Sequence, residues 1–131
     1  MKADKLKEII NLAEKIGFVF VATADDKGTP HMAAAAKLTQ TETDGIAVEE
    51  WFCPGTIANL NSNKQISIVV WSKEFDSGYQ ILGKVKKIND IGILDGYSPA
   101  VDSPHPLPQV ERQLLIKISK IFEFKSRRTA T

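Results

Sequence analysis

Between residues 51 and 71 an apolar run breaks at Pro54-Gly55, passes through a segment of short helical length, and restarts as Ile66-Ser67-Ile68-Val69-Val70-Trp71. The other apolar runs of the chain are joined by tight turns and not by crossover helices. Strands connected in this way pair antiparallel, because parallel pairing needs a long return connection.

The rest of the pattern fills in around that segment. Leu6, Ile9, Ile10, Ala13 and Ile16 recur at helical spacing with Lys and Glu between them, which predicts an amphipathic helix over 4–16. Asp4 is its expected N-cap, and Gly17 sits where a C′ glycine ends a helix. Residues 18–24 form an expected first strand, Asp25-Asp26-Lys27-Gly28-Thr29-Pro30 a turn, and 31–38 a second strand closing a hairpin. Residues 46–52 follow as a third strand, and 56–63 as the short helix, with Ile57 and Leu60 facing inward. The strand over 65–72 is apolar enough to be covered on both faces. A long strand over 79–88 puts Tyr79, Ile81, Gly83 and Val85 on one face. Residues 89–109, interrupted by Pro99, Pro104, Pro106 and Pro108, are irregular. A last strand over 112–124 puts Leu114, Ile116, Ile118, Phe122 and Phe124 on one side. A sheet of such strands curls and closes. The expected fold is mainly β, a six-stranded antiparallel barrel with an N-terminal helix and a short helix after the third strand, in one domain spanning 1–131.

Charge and composition narrow the partners. Lys and Arg number 17 against 16 Asp and Glu, a formal net charge of +1, so nothing in the balance points to nucleic acid or an anionic membrane. Cys53 is the one cysteine, which excludes an internal disulfide framework and suits a reducing, cytoplasmic setting. The first residues carry no apolar signal core, and no apolar run approaches the ~20 residues of a membrane span.

Few side chains offer catalysis. His31, His105, Asp102 and Cys53 do not repeat a metal-ligand spacing, and the two histidines read as surface or loop residues. Glu49 and Glu50 point to opposite sides of a strand. No phosphate-binding glycine loop of the usual kinds is present. No metal site is expected, and no residue stands out as acid, base or nucleophile.

The start of the short helix is more informative. Its first amides, near Gly55 to Ile57, have no intrahelical acceptor, and with the helix's partial positive charge they suit a phosphate. The Thr56 hydroxyl and the Asn59 amide would add hydrogen bonds. The same residues equally serve to cap and solvate a short helix. A second oddity is Ala33-Ala34-Ala35-Ala36 within a strand, where alanine is depleted. Small side chains there leave room for something to pack closely.

Taken in order, Phe18-Val19-Phe20-Val21-Ala22-Thr23 after the first helix, Asp26-Lys27-Gly28-Thr29-Pro30-His31, Thr56-Ile57-Ala58-Asn59-Leu60-Asn61-Ser62-Asn63 and Gly78-Tyr79-Gln80-Ile81-Leu82-Gly83-Lys84-Val85 resemble the pyridoxamine 5′-phosphate oxidase-like, FMN-binding split-barrel superfamily. Its small single-domain members are the nearest in character. The resemblance implies a split barrel that forms a homodimer, with FMN in a groove between subunits. It puts the phosphate at Lys37, Gly55, Thr56 and Asn59, and the flavin ring along Ala34, Ala35, Ala36, Trp51 and Phe52. Relatives often carry Lys or Arg just before or at the position of Thr56. This chain has Gly55-Thr56, so charge would have to come from Lys37, Lys84 or Arg112. The implied function is an FMN-dependent oxidoreductase or electron carrier acting on a small-molecule substrate or donor. The alternative is a barrel without a redox role that holds haem, a deazaflavin or another ligand, or a cofactor-free dimeric scaffold.

Overall fold

The computed structural model of the chain describes residues 2–49, 54–93 and 110–125. The amphipathic helix is α1, Lys2–Ile16. It starts ahead of Asp4, so that carboxylate lies inside the first turn, where it meets the helix's positive end instead of capping it. Leu6, Ile9 and Ala13 are buried in the core, with Ile10, Leu12 and Ile16 packed at its margin. The helix ends as expected at Gly17, whose φ is +101° and whose N–H donates to the Ala13 carbonyl at 2.8 Å.

β1 (Val19–Ala24) and β2 (Pro30–Ala35) form the expected antiparallel hairpin, with Val19 opposite Ala35 and Ala24 opposite Pro30. In the turn between them, Asp25 Oδ1 accepts hydrogen bonds from the Lys27 and Thr29 amides, each at 2.9 Å. The expected second strand does not continue to residue 38. It ends at Ala35, and after Ala36 the chain becomes β3 (Lys37–Glu42), which pairs with β4 (Gly45–Glu49) instead of β1. One apolar run thus supplies two strands, and the sheet has seven strands where six were expected. Residues 50–53, 94–109 and 126–131, including the end of the expected third strand and the proline-rich segment, lie outside the described residues.

The short helix is α2 (Pro54–Ser62), followed by β5 (Gln65–Ser72), β6 (Ser77–Ile93) and β7 (Val110–Phe124). The strands run in the order β2-β1-β5-β6-β7-β4-β3, every neighbour antiparallel. The two outermost strands, β2 and β3, are consecutive in the chain with Ala36 alone between them. The sheet must therefore curl until its two ends are joined covalently, which makes it a barrel interrupted at one bend. Val21, Ile46, Val48, Ile68, Ile81 and Leu114 fill its interior, and α1 packs against β3 and β5.

Two expectations about strand faces change. β5 is not covered on both sides. Ile66, Ile68, Val70 and Ser72 are buried, while Ser67, Val69 and Trp71 are half-buried on the outer face. In β7 the inward alternation holds for Leu114, Ile116 and Ile118 and then reverses. Ile118 lies opposite Gly83 and Lys120 opposite Leu82, so Ser119 is an extra residue bulged out of the pairing. Beyond the bulge Ile121 packs against the core, and Phe122 and Phe124 are exposed.

The reversal builds an apolar outer face. Ala34, Phe20, Val69, Gln80 and Phe122 stand in one row across five strands. Beside this row Trp71 stacks on Phe124, ring centres 5.5 Å apart, and Met32 is 57% exposed. No helix among the described residues is long and apolar enough to cross a membrane.

Candidate functional site

α2 begins at Pro54, earlier than the sequence suggests. Proline is well suited to the first helical position, since it lacks an amide that would have no partner there and its φ is already helical. The amides of the first turn that lack an intrahelical acceptor are then those of Gly55, Thr56 and Ile57. Leu60 is fully buried and Ile57 half-buried, so these two anchor the helix as expected. Thr56 is also fully buried, and its Oγ1 has no hydrogen-bond partner among the described residues. An unsatisfied buried hydroxyl costs about 1–3 kcal/mol.

α2 packs on β1 and β2. Asn59 Nδ2 donates to Thr23 Oγ1 at 3.1 Å, which commits one of the Asn59 donors to the scaffold. Thr23 lies opposite His31 in the β1–β2 pair, so the two side chains share a face of the sheet. The His31 ring reaches Gly55. A Cβ on Gly55 would stand 3.2 Å from both Cε1 and Nε2 of the imidazole. The structure therefore gathers Thr23, His31, Gly55, Thr56 and Asn59 at one corner. His31 was read from sequence as a surface or loop residue. It is a half-buried strand residue, and the signal lay in the inward series 19, 21 and 23 of β1, which β2 answers with 35, 33 and 31.

The other expected residues distribute differently. Ala35 is in the core at 2% exposure, whereas Ala34 and Ala36 are exposed. β2 ends the sheet, so along its far edge the backbone N–H and C=O groups have no strand partner among the described residues. Lys37 is exposed, lies beyond the bend opposite Glu49, and lines a cavity of about 330 Å³ with Ala36, Ile10 and Glu14. None of the corner residues Thr23, His31, Gly55, Thr56 and Asn59 lines that cavity. Lys84 lies opposite Gln65, past the C-terminal end of α2. Arg112 is bonded through Nε to Asp90 Oδ1 at 3.1 Å. Trp51, Phe52 and Cys53, and also Asp102 and His105, lie outside the described residues. A second cavity, of about 400 Å³, lies between α1 and the β5–β6 turn and includes Lys15, Phe75 and Tyr79; it is separate from the corner.

Comparison with known proteins places this fold. The profile of the pyridoxamine 5′-phosphate oxidase family matches residues 3–113. No curated protein matches the sequence. Among solved structures, an FMN-binding protein from Syntrophomonas wolfei subsp. wolfei superposes with a TM-score of 0.69 at 17% identity, over 96% of this chain and 90% of its own. An F420 reductase superposes at 0.58 and 13% identity, over 86% and 94%. HutZ, the haem storage protein of Vibrio cholerae, superposes at 0.56 and 15% identity, over 93% and 94%. These similar barrels show the architecture and carry three different cofactor names. With the profile spanning α1 to the start of β7 and the barrel shared throughout, the chain belongs to the pyridoxamine 5′-phosphate oxidase family of split barrels.

Proposed function

We propose that the chain is an FMN-binding flavoprotein, an oxidoreductase or electron carrier that works as a homodimer in the cytoplasm. The observation that carries this reading is Thr56 Oγ1, a buried hydroxyl without a partner in the first turn of α2, beside helix amides that lack an intrahelical acceptor and suit a phosphate. The hydroxyl is fully buried, whereas Gly55 beside it is exposed.

From that corner the ligand would run along the open edge of β2. The exposed Ala34 and Ala36 let a flat ring approach, and Ala35 contributes through its backbone alone. Lys37, beyond the bend, then meets the ring end of the ligand and not its phosphate, a revision of its expected role. Trp51 and Phe52 follow β4 and stay assigned to the ring. FMN, when bound, supplies the redox chemistry, while the chain binds the phosphate, orients the ring and limits access to it. The apolar row of Phe20, Val69 and Phe122 is the surface offered to a second copy, which would complete the groove.

A haem or deazaflavin ligand is the rival reading, favoured by the placement of Lys37, Lys84 and Arg112 away from the first turn of α2. The absorption spectrum of the purified protein, followed by titration with FMN, hemin and a deazaflavin, separates the two. Saturable FMN binding supports the flavin reading. Binding of hemin or deazaflavin with no binding of FMN overturns it.

A further inference from the structure

We propose that the cavity between α1 and the β5–β6 turn is a second binding site, for a small uncharged aromatic molecule that bears a hydroxyl or carbonyl. It lies apart from α2 and does not depend on the flavin reading.

The cavity holds about 400 Å³, within the range of small-molecule sites. α1 contributes Asn11, Leu12 and Lys15 to its walls, and the β5–β6 hairpin contributes Phe75, Ser77 and Tyr79. Tyr79 carries the argument. It belongs to the inward series of β6 with Ile81 and Val85 and is 9% exposed. A tyrosine hydroxyl so placed ordinarily finds a hydrogen-bond partner, and this one has none among the described residues. The Lys5 ammonium lies over the face of the ring, 5.5 Å from its centre, and does not occupy the hydroxyl. Nor is the hydroxyl sealed off. Among the described residues, the buried side-chain polar atom that is both fully covered and unpartnered is Thr56 Oγ1. The exposure that Tyr79 keeps therefore includes its hydroxyl, and the cavity it lines is the opening.

Phe75 supplies an aromatic wall. Its N–H donates to Ser72 Oγ at 3.2 Å, and the Asp76 N–H donates to the Lys73 carbonyl at 3.3 Å, so the turn is held in one shape. The ring is 58% exposed even with the Lys15 ammonium 5.1 Å from its centre. Leu12, half-buried at the margin of the core, gives the cavity an apolar side. Charge around the mouth is already matched, with Lys15 3.9 Å from Glu74 and Lys5 3.8 Å from Glu8. An ionised ligand thus meets no unpaired counter-charge there. An uncharged ring packs on Phe75 and Leu12, and its polar group bonds to the Tyr79 hydroxyl.

Titration of the 15N-labelled, full-length protein with p-cresol and with toluene, followed by amide shifts, tests this. The p-cresol should give saturable shifts centred on Leu12, Phe75, Ser77 and Tyr79, and should bind about three- to tenfold more tightly than toluene, the scale of one neutral hydrogen bond. Tyr79→Phe should remove that preference and leave toluene binding within about twofold. Asn11→Trp, a change at an exposed helix position, should fill the cavity and weaken both ligands about tenfold or more, and it decides the matter if Tyr79→Phe does not fold. Absence of saturable shifts at these amides, a p-cresol preference that survives Tyr79→Phe, or unaltered binding in Asn11→Trp overturns the proposal. Displacement of p-cresol by FMN would make the cavity part of a flavin site and overturn it as a separate one. None of these results bears on whether FMN binds at α2, which the flavin titration decides.

Discussion

Asn59 of α2 donates to Thr23 of β1 across 3.1 Å, and this bond ties the short helix to the strand pair that carries His31. Thr23 is buried, at 5% exposure. Asn59→Ala leaves its hydroxyl without that donor and is expected to lower stability by about 1–2 kcal/mol. Denaturant unfolding measures the loss. An unchanged midpoint would show that the helix is held by Leu60 and its apolar neighbours alone.

Thr56 should show opposite effects on stability and binding. Thr56→Val replaces an unsatisfied buried hydroxyl by a methyl of similar shape, and should stabilise the protein by about 1 kcal/mol. The same change removes a phosphate partner, so FMN binding should weaken while riboflavin binding holds. Thr56→Ser keeps the hydroxyl and should keep the FMN preference. A Val variant with lower stability and unaltered FMN binding would mean that Thr56 only packs.

The outer face depends on the bulge at Ser119, which turns Phe122 and Phe124 outward to join Phe20 and Trp71. A charge placed in the middle of an apolar interface costs several kcal/mol of association when it is left unpaired. Phe20→Lys and Phe122→Glu, each made alone, should halve the mass measured by light scattering while the fold persists. A mass unchanged in both would remove this face as the interface of the proposed homodimer.

Asp25 gives the hairpin a dependence on acid. Hydrogen bonds from the Thr29 amide foremost, and then from that of Lys27, hold its carboxyl below the ordinary aspartate value of 3.8. The folded value is depressed, so the stabilisation is fully present above the unfolded value and is lost as the pH falls through the folded one. Asp25→Asn should therefore make unfolding less sensitive to pH below about 4. Parallel stability curves for the two proteins would remove Asp25 from the acid response.

The sequence made most elements legible because their signals are local. The period of Leu6, Ile9 and Ala13, the glycine at 17 and the break at Pro54-Gly55 each act within a few residues. The errors came from long-range geometry. Nothing near Ala36 announces that its neighbours pair with different strands, because the bend follows from the closure of the whole sheet. The outward turn of Phe122 follows from one unpaired residue in β7 and is invisible in a pattern that otherwise alternates. At the candidate site, Gly55 and Thr56 were singled out through helix-end chemistry, which is local. The half-buried place of His31 on a strand was missed because it depends on lying opposite Thr23 and against a helix that starts 23 residues later.

The central claim is that α2 receives a phosphate, and amide chemical shifts report on it most directly. In a 15N-labelled sample titrated with FMN, the amides of Gly55, Thr56 and Ile57 should move most, and riboflavin should leave them nearly still. Shifts at those amides that are equal for the two flavins, or FMN-dependent shifts confined to other parts of the barrel, would contradict the account.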